Sequence, residues 1–152
     1  METPLNIELV LVYKIDEDKP DLFTEKVYAK KVNDHYQIQS IPAFAKNIAY
    51  GDIVKVEFEN GEFHFEDFIK ESGHSVLHIV LFDLNTKGYI IKELTAFGCG
   101  VNSHVAENYL VVDVPAVVSY YGIKEFLYRE ISLGNIDLSE SCLSYKHRPN
   151  DH

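Results

Sequence analysis

Residues 54–67, VKVEFENGEFHFED, hold two runs that alternate between apolar and charged residues, joined by Asn60-Gly61. Asn-Gly between alternating runs is the strongest short-range signal for a β-hairpin, because both turn residues need positive φ. A two-residue turn fixes the register, which on the apolar face pairs Phe58 with Phe63 and Val56 with Phe65. The sequence therefore predicts a hairpin with one apolar face and one charged face.

The charged face of this hairpin is rich in carboxylates. The same register predicts three cross-strand pairs there: Glu59 with Glu62, Glu57 with His64, and Lys55 with Glu66. Like charges placed opposite each other in a sheet cost stability. The alternation breaks at Phe68, directly after Asp67, which predicts a β-bulge that exposes an aromatic side chain.

Four explanations of this charged face remain open. A glycosidase-type pair of carboxylates needs a pocket that shifts one pKa, and a calcium site needs a D-x-D-x-D-G loop, which the chain lacks. The face can also be a solvated surface that protects an edge strand. The fourth explanation is a docking surface for a basic protein, because opposite potentials steer association.

The docking hypothesis selects a set of partner-binding residues. They are the polar and aromatic residues of the hairpin and a second acidic cluster before the next strand: Glu57, Glu59, Glu62, His64, Glu66, Asp67 and Phe68, with Asp16, Glu17 and Asp18. His64 would gain charge as the pH falls and would weaken a contact with a cationic partner.

The whole chain is acidic. It holds 24 acidic and 14 basic residues in 152, a formal net charge of -10. Residues 1–72 carry 15 acidic and 8 basic residues, and residues 73–152 carry 9 and 6. The phosphate backbone of nucleic acid repels such a protein, and so does an anionic membrane, unless a local basic patch exists. We therefore expect neither as a partner.

The compartment is predicted from cysteine usage and from the N-terminus. Two cysteines, Cys99 and Cys142, are too few for a disulfide framework. The N-terminus METPLNIELV lacks a basic region followed by a long apolar run, and no apolar stretch approaches 18 residues. These features predict a cytoplasmic protein with inert, reduced thiols.

Residues 1–72 are predicted to form a small curled antiparallel β-sheet or open barrel. Alternating runs indicate strands at residues 5–13, 24–32 and 35–41, followed by the hairpin. Residues 43–51, AFAKNIAYG, are predicted to form a short helical turn that Gly51 closes.

Residues 73–146 change period and predict the order β-α-β-β-α-β, the ferredoxin-like pattern. Residues 74–83 read as a strand, and a helix follows with Asp83 or Asn85 at its start and Gly98 at its end. Residues 99–105 and 108–114 predict a hairpin. A second helix is predicted over residues 119–133 with Ser119 as its cap, and a last strand begins at Ile136.

The fold class is therefore α+β, with the all-β half packed on the ferredoxin-like half. Only Glu71–Gly73 separates the halves, so we expect one compact unit followed by a frayed tail at residues 147–152. The chain has ten tyrosines, and four of them cannot all be buried, which indicates a possible second contact surface: Tyr120, Tyr121, Tyr128 and Tyr145.

Catalytic motifs are missing from the sequence. It contains no Gly-rich phosphate loop, no G-x-S-x-G elbow and no C-x-x-C pair. His74 and His78 lie four residues apart on a predicted strand, about 13 Å, which is too far to share one metal ion. Cys99 with His104 or His78 is a conceivable thiol–imidazole pair, but no spacing demands their contact. We predict no enzyme, no metal and no cofactor.

Residues 40–83 resemble a bacterial family known as domain of unknown function 4265. Its members share a SIPFFA-like run, a GD that opens a strand, a strand hairpin and SGHS before the next strand. The matching segments here are Ser40–Ala45, Gly51-Asp52 and Ser72–Ser75, with looser matches at Gly98-Cys99 and Val112–Pro115. The resemblance covers roughly residues 5–145, and Ala43 stands where the family pattern favours Phe.

The resemblance implies a function but transfers no catalytic activity. Small acidic members of the family look like immunity proteins of polymorphic or contact-dependent toxin systems. The leading hypothesis is an immunity protein that binds a cognate toxin domain, a basic nuclease, through the acidic residues above. The alternative is a small-molecule-binding or regulatory α+β module without catalysis.

Overall fold

The computed structural model describes residues 3–149. The chain divides into two compact units between Ser72 and Gly73. Each unit has its own cluster of buried apolar side chains. Within the described residues, no helix is both long enough and apolar enough to cross a membrane.

The first unit is a closed five-stranded barrel. Its strands are β1 (Asn6–Tyr13), β2 (Phe23–Val32), β3 (His35–Ile38), β4 (Ile53–Glu59) and β5 (Glu62–Lys70). Consecutive strands pair antiparallel. β5 then pairs parallel with β1, because an odd number of alternating strands returns to the starting direction. The predicted curled sheet is present, and it closes into a barrel instead of staying open.

The barrel core follows the two-residue period of its strands. Ile7, Leu9 and Leu11 alternate along β1, and all three are buried. They pack with buried side chains of the other strands, including Val27, Ala29, Ile38 and Val54. Side chains at every second position of a strand share one face. The hydrophobic pattern of the sequence therefore sets which face of each strand points inward.

Residues 43–51 do not form the predicted helical turn. The backbone N–H groups of residues 43–45 donate instead to the carboxylate of Glu25 on β2, over 3.0, 3.0 and 2.6 Å. Asn47 has φ 61° and Gly51 has φ 85°, values outside the right-handed helical region. The prediction was wrong because a side chain about twenty residues away binds the N–H groups of this segment. We call this arrangement the Glu25 clasp.

The second unit has the element order β-α-β-β-α-β. Its elements are β6 (Ser75–Leu81), α1 (Lys87–Phe97), β7 (Gly100–Ala106), β8 (Tyr109–Val114), α2 (Tyr121–Ser132) and β9 (Ile136–Cys142). The strands form one antiparallel sheet in the order β7-β8-β6-β9. Ile90 and Leu94 of α1 and Ile123 and Leu127 of α2 are fully buried in the core of this unit.

The ends of the helices are partly as predicted. Asp83 accepts a hydrogen bond from the backbone N–H of Asn85 at the start of a 3₁₀ turn, Leu84–Thr86, that leads into α1. Gly98 ends α1 with φ 102°, a left-handed conformation that glycine adopts without strain. Ser119 does not cap α2: its N-cap is Tyr120, and no described side chain bonds there.

The segment after β9 is partly fixed. His147, the first residue of the predicted frayed tail, is 6% exposed and hydrogen-bonded on both ring nitrogens. The last residues of that tail, 150–152, lie outside the described part of the chain.

Candidate functional site

The β4–β5 hairpin has the predicted register over its outer half. Glu59 lies opposite Glu62, and Glu57 lies opposite His64. Asn60 and Gly61 both have positive φ, 53° and 81°. These values are those of a two-residue type I′ turn, whose twist matches that of the flanking strands. Two carboxylates therefore face each other directly beside the turn.

The register shifts over the inner half of the hairpin. Lys55 lies opposite Asp67 and not opposite Glu66, which corrects the predicted pair. The shift falls between Lys55 and Val56, so Glu66 is an extra residue on β5. Sequence alternation alone does not reveal this bulge, because Glu66 and Asp67 are both polar.

A second shift lies between Ile53 and Val54. The first shift places Phe68 opposite Val54, on the same face as Phe65, and the rings of Phe65 and Phe68 meet edge to face with their centroids 5.1 Å apart. Phe68 keeps 38% of its surface exposed. The irregularities thus flank the predicted aromatic residue, one on each side.

The carboxylates of the hairpin are all exposed, and we call them the acidic face: Glu57, Glu59, Glu62, Glu66 and Asp67. Two cations partly neutralise the acidic face. Lys26 Nζ lies 3.2 Å from Glu62 Oε2, and Lys55 Nζ lies 3.7 Å from Glu66 Oε1. Such exposed ion pairs contribute little to stability. The negative charge of the acidic face therefore stays available to a partner.

The second predicted acidic cluster lies elsewhere on the barrel. Asp16, Glu17 and Asp18 are exposed in the connection between β1 and β2, where Asp16 accepts the N–H of Asp18 at 3.0 Å. Leu9 of β1 lies beside Phe63 of β5 in a parallel register. β1 and β5 therefore run in the same direction, away from the Asn60-Gly61 turn that precedes β5. The cluster follows the last residue of β1, so it lies at the end of these strands that is farther from the turn.

A pocket of about 270 Å³ opens beside the hairpin. The parallel pairing of β1 with β5 ends at Val10 and His64, and the pocket begins there. Its lining includes His64, Phe65 and Phe68 of β5, together with Val12, Lys46 and Ile48. Aromatic side chains thus lie directly beside the acidic face.

The motif residues of the first unit hold backbone segments together. Asp52 is buried, and its carboxylate accepts the N–H of Ala49 at 2.9 Å and that of Ser72 at 2.8 Å. Ser72 also donates its hydroxyl to the carbonyl of Tyr50 at 2.7 Å. Burial raises the pKa of Asp52, and the two backbone hydrogen bonds oppose that shift.

The motif residues of the second unit form a buried polar network. His147 Nε2 faces the carbonyl oxygens of Pro115 and Val118, both at 3.0 Å, so the ring proton lies on Nε2. His147 Nδ1 then accepts the hydroxyl of Ser75 at 2.6 Å. Ser144 donates its hydroxyl to the carbonyl of Gly73. These contacts fasten the segment after β9 to the start of β6.

His74 and Asp113 form a partly buried pair. His74 Nδ1 lies 2.8 Å from Asp113 Oδ1. Burial raises the pKa of Asp113, and the hydrogen bond from His74 lowers it. His74 precedes β6. His78 lies on β6 and is buried, and the centroid of its ring lies 5.6 Å from that of the Tyr109 ring. Within residues 3–149, no group of three or more His, Cys, Asp or Glu side chains could hold a metal ion.

Cys99 is poorly suited to nucleophilic chemistry. It is buried between α1 and β7, and burial, helped by the charge of Asp113, raises the pKa of its thiol to about 12. The thiolate is the reactive form, and it is scarce at neutral pH with such a pKa. His104, one suggested partner, is exposed.

A five-stranded barrel followed by a β-α-β-β-α-β sheet defines the chain as a two-unit α+β protein. Residues 25–137 match the family described as Domain of unknown function (DUF4265), and the chain belongs to this family. No curated protein matches the chain. It is similar to a solved structure described as a novel crystal structure of a hypothetical protein from Neisseria gonorrhoeae, with 28% identity and a TM-score of 0.82. That match covers 95% of this chain and 99% of the other.

Proposed function

We propose that this protein is an immunity protein that binds and neutralises a cognate bacterial toxin domain, a basic nuclease, in the cytoplasm. The acidic face carries the proposal. Glu59 lies opposite Glu62, and both are exposed. This arrangement costs stability in the free protein. A cationic partner would remove that cost and would gain electrostatic attraction.

A nuclease is the partner class that suits this surface. An enzyme that binds phosphate backbones carries a cationic groove, and an acidic inhibitor is attracted to it over long range. The first unit holds most of the acidic surplus, with 15 acidic and 8 basic residues. The acidic face lies on this unit, so the face and the unit that carries it are both negatively charged.

Aromatic residues beside the acidic face supply anchors for such a partner. Phe58 is 61% exposed near the Asn60-Gly61 turn, and Phe68 is partly exposed beside the pocket. Energetically dominant contacts of interfaces are enriched in aromatic side chains set among polar residues. The toxin domain would insert a side chain into the pocket next to His64 while its cations meet the acidic face.

A role without catalysis agrees with the state of the nucleophiles. The thiol of Cys99 is buried and its pKa is raised, and Ser75 is fully buried within its network with His147. We also infer that the second unit is a ferredoxin-like sheet, an inference supported by its element order and by the strand order β7-β8-β6-β9.

Charge reversal of the acidic face tests the proposal. The variant Glu57→Lys, Glu59→Lys and Glu66→Lys should lower the association rate constant with the toxin domain about 10- to 100-fold, because electrostatic steering changes such rates by this order. We expect the toxin domain at the C-terminus of a large secreted protein encoded by the gene immediately upstream, and this domain is the binding partner to use. Surface plasmon resonance measures the rate constants, and circular dichroism verifies the fold.

A matched control separates local charge from total charge. Asp34, Glu107 and Asp137 are exposed acidic residues outside the acidic face. Their replacement by lysine changes the net charge equally and should leave the association rate within about threefold of wild type. Equal losses in both variants, or binding unchanged by the first, would contradict the assignment of the acidic face.

A further inference from the structure

The second unit contains a cavity whose charge is opposite to that of the chain as a whole. The cavity has a volume of about 480 Å³ and lies at the amino end of α2, beside the segment after β9. Lys124, Lys146 and Arg148 line it. These are three of the six basic residues between residues 73 and 152. None of the described residues that line it is acidic.

The three cations are not consumed by internal ion pairs. Within residues 3–149, none of them forms a salt bridge. Lys124 lies over the ring of Tyr128 at 5.3 Å, and Lys146 lies over the ring of Tyr145 at 5.5 Å. Arg148 uses its Nε to donate to the carbonyl of Leu143 at 3.1 Å, which leaves its terminal nitrogens for another acceptor. Their charged groups are therefore available to an anionic ligand at the cavity.

Two residues that line the cavity are held by hydrogen bonds. His147 lines it and is held by hydrogen bonds to the carbonyl groups of Pro115 and Val118 and to Ser75. Tyr120 also lines it, and its hydroxyl donates to Glu140 at 2.8 Å. A site held by hydrogen bonds needs little reorganisation on binding. The segment that carries Lys146 and Arg148 is thus anchored at His147.

Tyr121 places an aromatic ring at the same cavity. Its side chain is 74% exposed. An exposed ring offers a face for stacking of a flat ligand group. Cavities of about 300–1,000 Å³ suit small molecules, so this one has room for more than an inorganic ion.

We propose that this cavity binds a small molecule that carries a phosphate group and a flat ring, the size of a mononucleotide. Lys124, Lys146 and Arg148 would bind the phosphate through charge-assisted hydrogen bonds. Tyr121 would stack on the ring of the ligand. The site is independent of the acidic face, because it uses residues of the second unit alone.

Isothermal titration calorimetry with the four 5′-ribonucleoside monophosphates tests the proposal on the full chain at constant ionic strength. We expect saturable binding of at least one of them by the wild-type protein. The variant Lys124→Gln, Lys146→Gln and Arg148→Gln should bind at least about tenfold more weakly, because each change removes a charge-assisted contact. Absence of saturable binding by wild type to all four would overturn the proposal.

The second unit supplies a matched control. Lys87, Lys92 and Arg129 are its three other basic residues, and none of them lines the cavity. The variant Lys87→Gln, Lys92→Gln and Arg129→Gln has the same net charge as the first variant and should bind as wild type does. Equal weakening in both variants would show a general charge effect and would overturn the site. Thermal melts monitored by circular dichroism verify that both variants fold.

The ring is tested separately. Tyr121→Leu should weaken binding of the nucleotide at least about fivefold, because stacking of a base on an aromatic ring has this order of effect. The same variant should leave the weaker binding of inorganic phosphate unchanged. Nucleotide affinity equal to that of wild type would overturn the stacking role of Tyr121.

Discussion

Asp52 shows how a single buried side chain organises the first unit. It is 3% exposed, and it accepts backbone N–H groups from two segments, at Ala49 and at Ser72. A carboxylate in this position loses its hydration, which disfavours its charged form. The two hydrogen bonds compensate only in part, so burial leaves the pKa raised above 3.8.

The raised pKa of Asp52 makes stability depend on pH. The folded protein binds this proton more tightly than the unfolded chain does, so ionisation costs stability as the pH rises through the folded-state pKa. We expect the free energy of unfolding of wild type, relative to that of Asp52→Asn, to fall as the pH rises from the ordinary pKa of the carboxyl, 3.8, through its raised pKa in the folded state. Urea denaturation at several pH values measures this difference.

The cause of that pH dependence can be tested with salt. Burial is the largest cause of the raised pKa, and the charge of Glu71 is the smallest. Salt screens charges but does not reverse burial. The difference between wild type and Asp52→Asn should therefore persist in about 1 M NaCl. A difference that stays constant across pH would contradict the shift.

Single residues were predictable from sequence where their conformation depends on near neighbours. Asn60-Gly61 and Gly98 adopt the positive φ values that their turn and cap require. Glu25 and Asp52 could not be identified in this way, because each binds N–H groups about twenty residues away. No local pattern distinguishes Glu25 from other charged residues on β2.

The hairpin is the element in which prediction was most accurate, and its errors are informative. The turn fixed the pairs from Glu59 and Glu62 to Val56 and Phe65. Beyond them, the bulge at Glu66 moved Asp67 opposite Lys55. A bulge depends on how the strand bends around the barrel. It is therefore a property of the closed sheet and not of the alternating sequence.

Glu59 on the acidic face should cost stability in the free protein. It lies opposite Glu62 and forms no ion pair within residues 3–149, whereas Glu62 contacts Lys26. We expect Glu59→Gln to raise the free energy of unfolding by about 0.5 kcal/mol, the order of one cross-strand charge pair. Urea denaturation at low ionic strength measures the change.

Glu66→Gln is the control for this effect. Glu66 has a cation, Lys55, at 3.7 Å, so its neutralisation should give no comparable gain. The gain from Glu59→Gln should shrink in about 1 M NaCl, because salt screens exposed charges. A loss of stability on Glu59→Gln would show that Glu59 makes favourable contacts in the free protein.

At the scale of the whole molecule, closure of the barrel was beyond local prediction. β1 and β5 are separated by about fifty residues, and only Leu9 with Phe63 and Val10 with His64 join them. Their alternating patterns predict strands but not which edges meet. The order of elements in the second unit was more accessible, because the change from a two-residue to a helical period is local.

The net charge is also a coarse guide to the charge of local surfaces. A net charge of -10 argues against anionic partners. The second unit nevertheless gathers Lys124, Lys146 and Arg148 around one cavity. The net charge of the chain does not reveal this patch, because two of its three cations come from the segment after β9 and one comes from α2.

The two apolar cores should respond independently to mutation. Ile38 in the barrel and Ile79 in the second unit are both fully buried, and they belong to separate clusters. Each Ile→Val change should cost about 1 kcal/mol of unfolding free energy. The double variant should cost the sum within about 0.5 kcal/mol, because distant sites without shared partners are additive. Chemical denaturation of both single variants and of the double variant measures this, and a larger deviation would show coupling between the cores.

The Glu25 clasp has a consequence for how the barrel selects its strand pairing. The carboxylate acts as an internal anion ligand, bound by a receptor made of the backbone of residues 43–45. A slip of β2 by one residue would turn Glu25 to the opposite face of its strand. The receptor would then lose its anion, and buried side chains such as Val27 would turn outward at the same time. A slip of one residue would therefore lose both the hydrogen bonds of the Glu25 clasp and the burial of these side chains.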